Sequence, residues 1–501
     1  MRGAASGVKR RLYVFAAAAL AAFLIYAPSL RGGFVSDDLI YLEYNPTLRK
    51  PLGEALPALF APYFANWAPL HHAFLYAEWQ LFGMAPLGYR VANLLLFAGC
   101  ACALAAAARR AGLTAHAALL AAALLLLHPV AVEAVAWINQ SKTLLALLFG
   151  LLALERWLAH LEAPSDWRLL AALGLAALSL LSKPALVLLP AVFATALWTH
   201  GSRGDRRREL PPLAALGFLA LGVLVLGMRA QASQGGIVEW YGGSPGATAH
   251  VMPGVLWRYL RLALLPFDPV HGVDPPPIAH WADRRVWLPA LGVLMAAAGA
   301  ALAIRRQRRL ALAAAWWGAA LLPVVQLVPM TTVFADRYLV MALPGLLAPI
   351  AWGLDAALSR ARAGGRAALA LAIGVVLAVL AALTARQAAL WAEPERLYAA
   401  ATAAYPDGRM GWIGLGAERQ IQRDLPGAAD AYLRALRAER GQGYVWLLLG
   451  RVRLAQGRLG AALHDLDEGL RLAPRHPDAA WARERTAALR AQGVRPEADE
   501  P

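Results

Sequence analysis

The chain has 501 residues, 59% hydrophobic and 16% charged, with a mean hydropathy of +0.48. Soluble domains carry about 25% charged residues, so a simple cytosolic globule is excluded. The net charge of +16 would raise nucleic acid as a partner, but residues 391–501 hold 16 basic and 15 acidic residues, so the excess belongs to residues 1–390.

In chain order, apolar runs near the length of about 20 residues that a bilayer needs predict membrane helices at 12–28, 87–107, 113–128, 143–159, 168–182, 184–199, 211–228, 287–304, 310–328, 338–356 and 367–385. The fifth and sixth share one apolar stretch broken at Ser182-Lys183-Pro184. Between the runs sit Lys9-Arg10-Arg11, Arg109-Arg110, Arg203 with Arg206-Arg207-Arg208, Arg305-Arg306 with Arg308-Arg309, and Arg360 with Arg362 and Arg366. Eleven spans with Lys9–Arg11 in the cytoplasm place every one of these clusters there, the positive-inside pattern. One span more or fewer strands some of them outside. The first segment also has a signal-peptide layout, but residues 34–38 offer no small-x-small cleavage site, so it reads as an uncleaved span. Cys100 and Cys102 are too few for a disulfide framework and wrongly spaced for a CxxC motif. The non-cytoplasmic side receives loops 29–86 and 229–286 and everything after residue 390.

The outward segments carry the chemistry. Phe34-Val35-Ser36-Asp37-Asp38 presents two adjacent carboxylates at a membrane surface, where they repel and lose hydration. Such a pair holds a divalent metal, or supplies a general base whose neighbour raises its pKa, or is a solvated loop with a helix cap. Asn66-Trp67-Ala68-Pro69-Leu70-His71-His72 and Glu78 follow. The two histidines point about 100° apart on a helix and do not pair on one metal by themselves. Arg90 and Asn93 share a helical face, where Arg90 binds a phosphate or snorkels to the interface. His128-Pro129 precedes Glu133, Trp137 and Gln140, spaced to share a helical face, and then Lys142. Glu133 has no cation within four residues and needs a polar cavity. Lys183 and Asp336-Arg337 are further charged sites at outer span ends.

From about residue 391 the composition becomes that of amphipathic soluble helix. Trp412 and Trp446, Leu415 and Leu449, Gly416 and Gly450, and Ala428 and Ala462 are each 34 residues apart. Trp-x2-Leu-Gly, then Ala, then Tyr432 or Leu466 matches the tetratricopeptide pattern. This predicts repeats at 409–442 and 443–476 with partial flanking helices inside 391–492, then a disordered tail at 493–501. Stacked repeats form a concave groove for a peptide or partner protein, with Trp412, Tyr432 and Trp446 as its expected contacts.

The stretches FVSDD, NWAPLHH, LFGMAPLGYRVANLLL, HPVAVEAVAWINQSKTLLALLF, LSLLSKPALVLLP and FADRYLVMALPGL, followed by the repeats, resemble the polytopic GT-C-type glycosyltransferases. Among these, the chain is most similar to the protein O-mannosyltransferase-like group with C-terminal tetratricopeptide repeats. The resemblance implies an all-α fold, with a multispanning domain over 1–390 and a short α-solenoid after it. It implies transfer of a monosaccharide, mannose among the candidates, from a polyprenyl-phosphate carrier to a hydroxyl such as Ser/Thr of a protein, with inversion, on the non-cytoplasmic face. Asp37 or Asp38 matches the acidic first-loop position, and Arg90, Glu133, Lys142, Lys183, Arg337, His71 and His72 are the substrate and donor-phosphate candidates. No cofactor is certain; a divalent metal on Asp37 and Asp38 stays open. The Ala/Arg-rich composition suggests a bacterial inner membrane with the repeats in the periplasm. The alternatives are a membrane-anchored repeat scaffold without enzymatic activity, and a lipid-linked-substrate transporter, which would want charges midway through spans.

Overall fold

The structure, a computed structural model, describes residues 2–201, 205–233, 240–276, 278–330, 332–474, 476 and 478–498. Arg203, residues 234–239 of the second outer loop and residues 499–501 of the expected tail lie outside the described residues, as do the side chains of Arg10, Arg11 and Arg206. Among the described residues every regular element is helical, and one isolated antiparallel bridge joins Tyr63 to Asn66.

The membrane domain begins with α1 (Arg2–Tyr26). The first outer loop folds as α2 (Asp38–Tyr41), α3 (Leu52–Leu59) and α4 (Pro69–Phe82), around its own apolar core of Tyr41, Leu48, Leu59, Leu75, Tyr89 and Ile138. Then come α5 (Pro86–Arg110), α6 (Ala115–Leu126), α7 (Val132–Ala136), α8 (Ser141–Glu162), α9 (Asp166–Ser182), α10 (Leu189–His200), α11 (Asp205–Arg208) and α12 (Leu210–Ser233). The second outer loop contains α13 (Pro245–Leu264), a helix the composition did not announce, and α14 (Arg284–Arg306), α15 (Leu310–Leu321), α16 (Asp336–Arg360) and α17 (Ala363–Leu390) complete the domain. Side-chain caps start several of these helices: Thr114 accepts from Ala117 N, Ser244 from Ala247 N, and Asp283 from Arg285 N.

All eleven expected segments coincide with helices. Among the described residues seven helices are long and apolar enough to cross a membrane, and the α6–α7 pair, bent by 54°, makes an eighth if counted as one span. The bend falls at His128-Pro129, where proline supplies no backbone donor to continue the helix. The other three, α9, α10 and α15, have 17, 12 and 12 residues. Twelve residues rise about 18 Å, less than the hydrocarbon core, so eleven crossings do not follow from length alone. α5 packs against α1, α6 and α8, and α16 packs against α6 and α15, which brings the outer ends of α5, α8 and α16 together.

The C-terminal region is α18 (Pro394–Ala404), α19 (Arg409–Ile421), α20 (Leu425–Ala438), α21 (Gly443–Ala455), α22 (Leu459–Leu472) and α23 (Ala479–Ala491), each packed on its neighbour in sequence. The starts of α19 and α21, and of α20 and α22, are 34 residues apart, the period read from the sequence. The glycines explain the close pairing: a Cβ at Gly416 would lie 2.6 Å from the Tyr432 ring, and one at Gly450 would lie 2.8 Å from Leu466. Trp412 Nε1 donates to Pro406 O at 2.8 Å and Trp446 Nε1 to Arg440 O at 2.9 Å. This is the same bond in both units, closing the turn before the helix.

Candidate active site

The charged residues of four outer segments converge at the outer ends of α8 and α16. Asp38, fully buried at the start of α2, accepts from Val35 N through Oδ2 and from Asn139 N through Oδ1, both at 2.9 Å. Its carboxyl thereby ties the first loop to the turn before α8. Burial, and next the charge of Asp37, push Asp38 up to about 7, against the pull of those two donors and of Arg90. Asp37 differs. It is half-buried, makes no cap bond, and leaves Oδ1 without a hydrogen-bond partner. Its charge acts on Tyr41, Lys142, Arg337 and Tyr398. The residue before it, Ser36, has φ 57°, a left-handed conformation that non-glycine residues seldom adopt.

Glu133, 4% exposed, is the counter-ion at the floor of the cluster. It accepts from Arg337 Nη1, from Arg337 N at 3.2 Å, and faces His271 Nδ1 at 3.3 Å. Arg337 lies 5.1 Å from the ring centres of both Trp137 and Tyr338. Lys142, 6% exposed, has its Nζ 5.0 Å over the Tyr41 ring and no hydrogen bond or ion pair among the described residues. Lys183 Nζ donates to Thr143 Oγ1 at 2.9 Å and lies 5.5 Å from the Tyr338 ring centre. Thr143 passes the chain on to Gln140 Oε1 at 2.7 Å. His71 is buried beside these cations, and both its ring nitrogens lack partners. Burial first, then the charges of Lys142, His72 and Lys183, hold it well below the ordinary imidazole range. His72 Nδ1 donates to Leu59 O at 3.2 Å, and burial lowers the pKa of this imidazole to about 4. The site therefore contains three cations, a neutral imidazole, and two carboxylates, Asp37 and Asp336, each with an oxygen that has no hydrogen-bond partner.

The sequence placed Asp37, Asp38, Glu133, Lys142, Lys183, Arg337, His71 and His72 in one site, and the structure brings them together. Arg90 is put to another use. It is 1% exposed, donates to Ser29 O at 2.8 Å, Ala136 O at 2.9 Å and Gly33 O at 2.5 Å, and is not free to hold a phosphate. Its helical partner Asn93 donates to Val135, Trp137 and Ile138 carbonyls, so both side chains fasten the same bent segment. Glu133, Trp137 and Gln140 do not share one helical face, because α7 ends at Ala136 and Trp137 is extended with ψ 116°. Each oxygen of Asp38 accepts one backbone N–H group, and Asp37 Oδ1 has no hydrogen-bond partner. Among the described residues no three His, Cys, Asp or Glu side chains are grouped to hold an ion. In the repeats, Tyr432 is fully buried between α19 and α20 and Trp446 is 5% exposed, so neither lines a groove. Trp412 is half-buried under Arg434, whose guanidinium lies 4.9 Å from its ring. Helix pairing, not partner contact, claims these aromatics.

Sequence reasoning missed a wall of the site. His271, from the second outer loop, lies 5.4 Å from the Trp137 ring, 5.0 Å from Trp391 and 5.7 Å from Tyr398. Trp391 and Tyr398 come from the start of the C-terminal region, so the repeats begin at the site itself. Arg409 binds Asp274 at 3.3 Å and also Glu439, clamping the second outer loop to the first repeat. No motif marks His271, and its partner Glu133 is 138 residues away.

No protein-family model matches the chain, and no curated protein matches it. Among solved structures, that of ArnT from Cupriavidus metallidurans bound to undecaprenyl phosphate is similar to this chain at 17% identity, with a TM-score of 0.43 over 97% of this chain and 89% of that one. The likeness is too weak to pair residues.

Proposed function

We propose that the protein is a membrane glycosyltransferase of the GT-C type. It moves a monosaccharide, mannose being the first candidate, from a polyprenyl-phosphate carrier to a hydroxyl acceptor, such as Ser/Thr of a protein, at the outer face of a bacterial inner membrane. The observation that carries the reading is Asp37: a carboxylate with an unpartnered oxygen, facing Lys142 and Arg337 across a cluster with three cations.

In the reaction, Asp37 takes the proton of the acceptor hydroxyl as its oxygen attacks the anomeric carbon. The bond from that carbon to the carrier phosphate breaks, and its electron pair leaves on the phosphate. Lys142, Lys183 and the free edge of Arg337 stabilise the charge that develops there. One displacement inverts the anomeric centre. Asp38 does not touch the reacting atoms in this scheme; it positions Asp37 by holding the loop through Val35 and Asn139. No step of this scheme runs through a divalent metal. The tetratricopeptide-like repeats, beginning at the wall made by Trp391 and Tyr398, suit delivery of a protein acceptor. The non-enzymatic scaffold has no specific observation in its favour.

The test is transfer from a radiolabelled polyprenyl-phosphate mannose in proteoliposomes. Asp37→Asn is expected to abolish transfer while the protein inserts and accumulates as the wild type does. Full activity in that variant removes Asp37 as the base.

A further inference from the structure

The opposite end of the membrane domain holds a cavity that the outward chemistry does not use. It is a half-open slot with a cavity volume of about 120 Å³ between α5, α8, α15 and α16. Its walls are apolar, with Leu104, Leu151, Leu154, Leu312, Trp316 and Trp352, and its mouth carries Gln307 and Arg309. Glycine shapes it twice. Gly345 lets α16 approach α15, since a Cβ there would lie 2.5 Å from Ala313 O. Gly112, with φ +96°, leaves room for the Arg309 guanidinium against the turn after α5, where a Cβ would meet Nη1 at 2.5 Å.

The mouth is rich in uncompensated positive charge. Arg305, Arg306 and Arg309 make no hydrogen bond or ion pair through their side chains among the described residues, while Arg308 lies 4.9 Å from the Trp198 ring centre. A neighbouring groove between α1, α5 and α8 offers a contrast: its Arg110 and Arg156 are both bound to Glu155, and Arg110 also to Glu162. That groove also holds Arg109, which donates to Leu113 O, so two of its three arginines have carboxylate partners, whereas Arg309 has none among the described residues. An apolar slot with an unpaired arginine, Arg309, at its mouth matches an amphiphile with an apolar chain and an anionic head.

We propose that this slot binds one anionic phospholipid of the cytoplasmic leaflet, with an acyl chain between α5, α8, α15 and α16 and its phosphate on Arg309. The cytoplasmic assignment rests on the topology that puts every basic cluster on that side. Bound there, the lipid fills the gap between α8 and α16, the helices whose outer ends carry Lys142 and Arg337.

Native mass spectrometry of the delipidated full chain tests this, with phosphatidylglycerol, phosphatidylcholine and inorganic phosphate as separate probes. One phosphatidylglycerol is expected to be retained in preference to phosphatidylcholine, with no competition from inorganic phosphate. Arg309→Ala, at an exposed position, is expected to weaken retention about five-fold, the effect of one basic side chain at a membrane surface. Ala348→Phe fills the slot and is expected to abolish retention, and Asp37→Asn is expected to leave it unchanged, which separates this site from the catalytic reading. Equal retention of the two lipids, wild-type retention in Arg309→Ala, or displacement by inorganic phosphate would overturn the proposal.

Discussion

Removing Arg337 tests whether the floor of the site is held by a buried charge pair. Glu133 is 4% exposed, and its contacts are the Arg337 guanidinium, the Arg337 backbone N–H and His271. Two unit charges about 3 Å apart at an effective dielectric of about 20 attract by about 5 kcal/mol. Desolvation of both ions consumes most of that, so the pair adds little net stability. Truncating one partner is different, because it strands the other as a buried charge at a cost of about 3–5 kcal/mol. Arg337→Ala is expected to lower the unfolding free energy by that amount, with the backbone bond to Glu133 retained. Glu133→Gln leaves Arg337, which is half-buried, and costs less. The double variant is expected to fall short of additivity by about 2–3 kcal/mol, since the second removal relieves the charge the first one stranded. The measurement is denaturant unfolding of the full chain in nanodiscs, followed by tryptophan fluorescence. An Arg337→Ala variant within about 1 kcal/mol of wild type, or additivity within about 0.5 kcal/mol, would refute the electrostatic account of this site.

Two further outcomes follow from residues around that floor. Burial pushes Glu78 from 4.5 up to about 8, and neither of its carboxylate oxygens has a hydrogen-bond partner. The folded chain thus keeps a proton there that the unfolded chain releases, so stability is greatest below pH 4.5 and falls as pH rises toward 8, by up to roughly 5 kcal/mol. Glu78→Gln should flatten that slope in unfolding titrations at pH 5 and pH 8.5; an unchanged slope would contradict the burial argument. Arg90→Ala leaves the carbonyls of Ser29, Gly33 and Ala136 without their donor and is expected to cost about 3 kcal/mol or more in the same unfolding assay. Wild-type stability with lost binding of polyprenyl phosphate would return Arg90 to the phosphate role that its position in the sequence suggested.

What the sequence made legible was whatever depends on neighbours along the chain. Apolar runs are local, so every expected segment from 12–28 to 367–385 falls on a helix. The 34-residue period was legible because Gly416 and Gly450 answer the same steric need in each unit. Side-chain partners were not, since they are set by which helix ends meet. Nothing near Arg90 says that its guanidinium reaches backbone 46 and 61 residues away, and nothing near Glu133 names Arg337. Trp412, Tyr432 and Trp446 were visible as a repeat signature, yet a signature of this kind marks what packs inside a helical pair. α13 went unread because Pro253 and Arg258 interrupt an otherwise modest apolar pattern.

The cost of the outward cluster decides between an anchor and a site. Each buried ion loses several kcal/mol of hydration even after the protein relaxes around it. Lys142 recovers this through the face of Tyr41 and through Asp37 at a distance, without an ion pair of its own. A leucine at position 142 would pack the outer end of α8 without that loss, and the same holds for Lys183, whose hydrogen-bonded partner is a neutral hydroxyl. Helices that merely tethered the repeats would gain stability from both replacements. Of the three cations, Arg337 is paired with Glu133 while Lys142 and Lys183 have no ion pair among the described residues, and a phosphate ester beside them would supply one. The strained turn at Ser36 points the same way, because it holds Asp37 toward the cations and against Tyr398 instead of letting it cap α2.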